Sequence, residues 1–171
     1  MCYDIRMKVT EICSDEAAYG SSCKDHLLQQ YLLYVDEVDK LNDRRQKTND
    51  FFLAINTALI AFLGIMIKFG EDDFGIFLIL TSLAGTAICV LWHSLIRNYS
   101  IVSGARFQIL HVIEEKLPIQ LFKKEWELLT TGDRKHCYTP ITHVERYIPW
   151  VFIVFYVLLV LSYETHLISF I

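Results

Sequence analysis

Phe51–Ile67 reads FFLAINTALIAFLGIMI, seventeen residues without a charge. As a helix it rises about 25 Å, near the lower limit for crossing the hydrocarbon of a bilayer. Two more runs share its character. Phe74–Ile96 reads FGIFLILTSLAGTAICVLWHSLI. Ile148–Ser162 reads IPWVFIVFYVLLVLS and continues into a mixed apolar tail. Three such runs in 171 residues leave too little polar surface for a soluble globule. The expected fold class is therefore all-α: an integral membrane protein with three transmembrane helices at 51–68, 74–96 and 148–166. A chain that is 53% hydrophobic and 21% charged agrees with this reading.

The polar stretches between the runs set the expected orientation. Residues 1–50 hold seven Lys or Arg, and residues 97–147 hold eight. The short connection 69–73 holds none and carries Glu71, Asp72 and Asp73. The positive-inside rule places 1–50 and 97–147 in the cytoplasm, and the 69–73 connection and the C-terminus outside. Three spans give the same in–out–in–out order. Residues 1–23 contain four acidic groups and no apolar core, so they read as a retained, loosely ordered cytoplasmic arm rather than a signal peptide.

The cytoplasmic segments read as extensions of the spans. Between Ser22 and Gly64 there is no Gly or Pro. Leu27, Tyr31, Tyr34, Val38 and Leu41 recur at spacings of four, three, four and three, a heptad-like seam. One amphipathic helix over 24–50 is expected to enter the membrane unbroken, with Arg44 and Arg45 at the interface. Within 97–147, Ile101, Ala105, Ile109, Val112 and Lys116 continue the second span at helical spacing until Pro118. The two extensions would run antiparallel, as a helical hairpin. A short helix over Leu121–Leu129 would follow, packed through Trp126, then a loop at Thr130–Asp133. Thr142 with Glu145 fits a capping box before the third span, and Pro149 starts or kinks that span.

Inside the spans, Asn56 and Thr57 are the conspicuous polar pair. An amide in hydrocarbon needs a partner, so Asn56 should face protein, as interhelical glue or as a pore-lining group. Thr81, Gly85 and Cys89 stand at four-residue spacing, a stripe that lets helices approach closely. Bulky residues surround the third span on all faces, as for a helix facing lipid.

Catalytic patterns are weak. His111 and Glu114 lie one helical turn apart, but a di-metal bundle needs such pairs from several helices. His136, Cys137 and His143 match no strong zinc spacing. The five cysteines include no CxxC pair, and no phosphate-loop, nucleophile-elbow or HExxH motif occurs. No cofactor and no metal are expected. The net charge of −4 gives no basic field for nucleic acid. The expected partners are membrane lipid, further copies of the chain and, beyond these, another protein.

The order of several motifs resembles the RipA family of octameric bacterial membrane proteins. These are Asn42-Asp43-Arg44-Arg45-Gln46, Asn49-Asp50-Phe51-Phe52-Leu53, Ile55-Asn56-Thr57-Ala58-Leu59 and Ala105-Arg106-Phe107. Tyr34-Val35, Trp92 with Ile96 and Tyr99, Ile113-Glu114-Glu115-Lys116-Leu117-Pro118, Glu125-Trp126 and Glu145-Arg146-Tyr147-Ile148-Pro149-Trp150 complete the set. The resemblance covers roughly residues 24–160 and leaves the arm outside it. It implies a self-assembling protein of the bacterial inner membrane, an octamer, and supplies no catalytic residues. The expected function is a non-enzymatic scaffold or docking assembly with a cytoplasmic helical collar. The alternatives are an oligomeric channel that uses Asn56, Thr57, Thr81, Ser82 and Thr86, and a membrane-bound enzyme that uses His111, Glu114 and His136.

Overall fold

Four helices make up the described part of the chain. They are α1 over Cys23–Phe69, α2 over Phe74–Glu114, α3 over Leu121–Thr131 and α4 over Ile148–Ile168. The computed structural model describes residues 19–69, 74–131 and 144–168. Most of the N-terminal arm, the connection 70–73 and the stretch with His136, Cys137, Thr142 and His143 lie outside the described residues. α1, α2 and α4 are each long and apolar enough to cross a membrane. Among the described residues there is no strand.

Local sequence explains the helix ends. Gly20 adopts φ 92°, the left-handed region that glycine enters without a Cβ clash. The turn it makes lets the Cys23 amide donate to the Gly20 carbonyl at 3.2 Å, and α1 begins there. Asp25 in the first turn and Lys68 in the last complement the helix dipole. With no Gly or Pro before Gly64, nothing interrupts α1 over its 47 residues. Gly104 does not break α2. That helix ends at Glu114 in tight turns, with Leu117 N–H donating to the Glu114 carbonyl at 3.0 Å. Pro118 follows, where a helix cannot continue. Pro149 is the second residue of α4, so it starts the span and does not kink it. α3 runs on through Thr131, two residues into the stretch whose Gly132 and Asp133 favoured a loop.

The chain forms two compact units. The bundle unit comprises 42–101 and 139–171. Within it α1 and α2 are antiparallel: Thr48 hydroxyl meets Tyr99 hydroxyl at 3.2 Å, Trp92 Nε1 donates to Asn49 at 2.9 Å, and Cys89 Sγ donates to Asn56 at 3.2 Å. α4 is antiparallel to α2, with Trp150 against His93, Phe152 against Trp92 and Tyr163 against Phe74. Trp92, Ile96, Leu63, Leu78 and Tyr156 are buried in the centre. Between helices in lipid there is no water to expel, so association rests on van der Waals fit and hydrogen bonds. Phe52 stacked on Trp92 at 5.7 Å supplies such fit, about 0.5–1.5 kcal/mol for an aromatic pair.

The extension unit comprises 1–41 and 102–138. Here α1 and α2 are again antiparallel, through Tyr31 with Glu114 and through the Arg106 guanidinium on the Glu37 carbonyl. Val38, Leu41, Leu110 and Glu114 are buried. α3 is held by Phe122 edge-on to Phe107 at 6.1 Å and by Lys123 near Glu115 at 3.7 Å. Exposed pairs such as Lys40–Asp36 at 2.6 Å add little, since water and salt screen them.

Candidate functional site

The bundle unit has a polar knot at its centre, built from one residue on each spanning helix. Asn56 of α1 and Cys89 of α2 are fully buried, and Tyr156 of α4 is 1% exposed. The Asn56 amide donates from Nδ2 to the Phe52 carbonyl at 2.8 Å, one turn back on its own helix. Its Oδ1 accepts from Tyr156 hydroxyl at 3.1 Å and from Cys89 Sγ at 3.2 Å. The arrangement is chemically consistent. The carbonyl oxygen has two lone pairs for two donors, and the amide nitrogen faces the one acceptor. An unpaired amide in hydrocarbon costs several kcal/mol, so the knot ties three helices together at a fixed depth and rotation.

Gly85 completes the knot. A Cβ there would overlap the Tyr156 ring, so only a glycine lets that ring sit against α2 and reach Asn56. Gly75 has the same relation to Tyr163, one end of the helix pair further on. Close approach of α2 and α4 thus has two glycine contacts, and the small stripe that includes Gly85 and Cys89 packs within the chain. Thr81 and Ser82 are buried beside it. α4 is not lipid-facing all round: Tyr156 and Pro149 give it an inward side, while Val151, Val154, Leu158 and Leu161 face outward.

The candidate pore residues therefore divide. Asn56 is occupied by the knot and faces no opening. Thr81 and Ser82 are buried, and Thr86 is half-buried. Thr57 alone of the five is exposed, and its hydroxyl is returned to the Leu53 carbonyl at 2.8 Å.

A second constellation lies in the extension unit. Glu114, fully buried, accepts from Phe122 N–H at 3.0 Å and Lys123 N–H at 3.1 Å, two of the free first-turn amides of α3. It also accepts from Tyr31 hydroxyl at 3.2 Å. A carboxylate at a helix N-terminus satisfies orphan amides and meets the positive end of the dipole. Glu114 is thus a remote cap that pins α3 to α2 and α1, and the pairing with His111 has no counterpart in the structure. Burial and the neighbouring carboxylate raise the Tyr31 pKa above its ordinary value. Among the described residues no three His, Cys, Asp or Glu side chains come together. His136 lies outside them.

The remaining sequence candidates fall as follows. Along the heptad seam Val38 and Leu41 are buried, and Leu27, Tyr31 and Tyr34 are half-buried. Tyr34 is also shifted upward by burial, with the Arg106 charge opposing. Arg44 is exposed, and Arg45 lies 3.6 Å from Glu145 with both mostly covered. Trp126 of the short helix is 52% exposed, and Phe122 of the same helix lies edge-on to Phe107. Sequence reasoning missed Tyr156 and the capping role of Glu114. The glycine at position 85 was the available signal for an aromatic neighbour.

The family model of the octameric membrane proteins, 8xMP, matches residues 28–165. This chain belongs to that family. The match begins five residues into α1 and ends near the end of α4, so it takes in both the polar knot and the Glu114 cap. Membership agrees with a membrane protein of three apolar helices. No curated protein and no solved structure matches the chain.

Proposed function

We propose that this protein is a non-enzymatic homo-octamer of the bacterial inner membrane. It acts as a scaffold or docking assembly, with the extension units forming a cytoplasmic helical collar. The observation that carries the reading is how its buried polar groups are used. Asn56, Cys89 and Tyr156 hold three spans together, and Glu114 and Tyr31 hold the extension, so these two polar networks serve to fasten helices. Outside the apolar spans, Leu28, Leu32 and Leu33 are 49%, 58% and 66% exposed. Apolar side chains gathered on an aqueous helix favour contact with another protein surface.

The test is the native mass of the full-length protein in mild detergent, followed by planar-bilayer recording. The expected species has eight times the 20.0 kDa mass of the chain and carries no steady current. A monomer would overturn the assembly. Ion-selective conductance from the octamer would overturn the scaffold reading in favour of a channel.

A further inference from the structure

The outward faces of the bundle unit are not alike. On α1, a shallow groove of about 530 Å³ is lined by Asp50, Leu53, Ala54, Thr57, Ala58 and Ala61. All six are exposed. On α2, Leu80, Leu83, Ala87, Val90, Ser94 and Arg97 form an exposed ridge at spacings of three and four. Such i±3 and i±4 rows are what one helix inserts into the groove of another.

Charge distinguishes this pair of faces. Asp50 and Arg97 are both exposed, and among the described residues neither makes an ion pair. Arg97 is the one Lys or Arg that α2 contributes to this unit, and α4 contributes none. The two charges also lie at one height in the bundle. Asn49 bonds Trp92 and Thr48 bonds Tyr99, so Asp50 is level with the 92–99 stretch of α2. Further along, Asn56 bonds Cys89, which brings Ala54 and Thr57 level with Val90 and Ala87.

Symmetry selects how copies of such a chain can meet. The one-sided distribution of Lys and Arg inserts every copy in the same sense. Two-fold axes in the membrane plane are then excluded, so an eight-membered assembly closes about an axis along the membrane normal. A cyclic ring of this size is head-to-tail: each copy uses two different faces, and the faces touch at equal height. Groove and ridge meet both conditions.

The geometry points to a second copy of this chain as the occupant of the α1 groove. The α2 ridge of one protomer seats on the α1 groove of the next, with Arg97 of that ridge opposite Asp50. The inference rests on the octameric reading above.

Charge reversal in the full chain tests it, with native mass in mild detergent as the readout. Asp50→Arg and Arg97→Asp each shift most of the protein from the eight-copy mass to smaller species, and the double reversal restores eight copies. Ala58→Phe, at an exposed position, fills the groove and also lowers the mass, while helical content and melting of the protomer stay as in the parent. Oxidising a chain that carries Ala54→Cys with Val90→Cys gives a ladder of cross-linked products. Ala54→Cys alone gives no more than the parent with its native cysteines. Eight copies in both single reversals, or equal cross-linking by Ala54→Cys alone, overturns the seam. A parent protein that is itself not octameric refutes the assembly reading instead, so the two failures are distinguishable.

Discussion

At the scale of single residues, the protein uses buried polar side chains as fasteners with definite chemistry. Tyr31 illustrates this in the extension unit, where its hydroxyl donates to the buried Glu114 carboxylate. Burial, and then the hydrogen bond to Glu114, favour the neutral phenol, so folding raises the Tyr31 pKa. The contribution to stability is complete below the ordinary tyrosine pKa of about 10, and it is lost as pH rises through the higher folded value. Tyr31→Phe is expected to cost about 1.5–3 kcal/mol near neutrality, the range for a hydrogen bond to a charged group. The gap between parent and variant melting temperatures should narrow above about pH 10. A gap independent of pH would mean that the hydroxyl contributes nothing through Glu114. The sequence displayed Asn56 plainly, because an amide in an apolar run stands out. It concealed Tyr156 among Phe, Val and Leu, and it paired Glu114 with His111 because spacing along one helix cannot show a reach of eight residues to the next.

At the scale of elements, the α2–α4 contact is set by two glycines whose absent side chains admit tyrosine rings. Gly85→Ala should therefore be costly in spite of alanine's better helix propensity. The added Cβ meets a rigid ring that is also held by Asn56, so the ring cannot swing aside without breaking the knot. The expected loss is about 1–3 kcal/mol, as for overpacking in a close-fitted core. Gly104→Ala is the internal contrast on the same helix. A Cβ there has open space, and the change should gain up to about 1 kcal/mol. Reversible unfolding in detergent, followed by helical signal, measures both. Equal effects at the two positions would show that propensity dominates and that the tyrosine contact does not. Tyr156→Leu should relieve most of the Gly85→Ala penalty, since the clash is with the ring rather than with the hydroxyl alone. The helices themselves were legible because apolar run length and the lack of Gly and Pro are one-dimensional properties. The rotational setting of each helix was not, because it depends on which three residues meet at one depth.

At the scale of the whole molecule, the distribution of positive charge makes the orientation testable. Fifteen of the 16 Lys and Arg lie in 1–50 or 97–147, and Lys68 is the remaining one. Carrying either segment across a bilayer would move seven or eight cations against the bias that governs insertion. A C-terminal alkaline phosphatase fusion in a bacterial host should therefore be active, and a green fluorescent protein at the same place dark. Fusions at the N-terminus should behave in the opposite way. The connection at 69–73 offers a stricter check. With Asp72→Lys and Asp73→Lys it carries two cations, still far fewer than either flanking segment, and the fusion pattern should hold. Reversal by so small a change would mean that the charge bias is nearly balanced. Copies could then insert in both senses, and the head-to-tail seam, which requires one sense, would lose its basis. Persistence of the pattern leaves a ring of identically oriented chains as the arrangement that an octamer of this sequence can close.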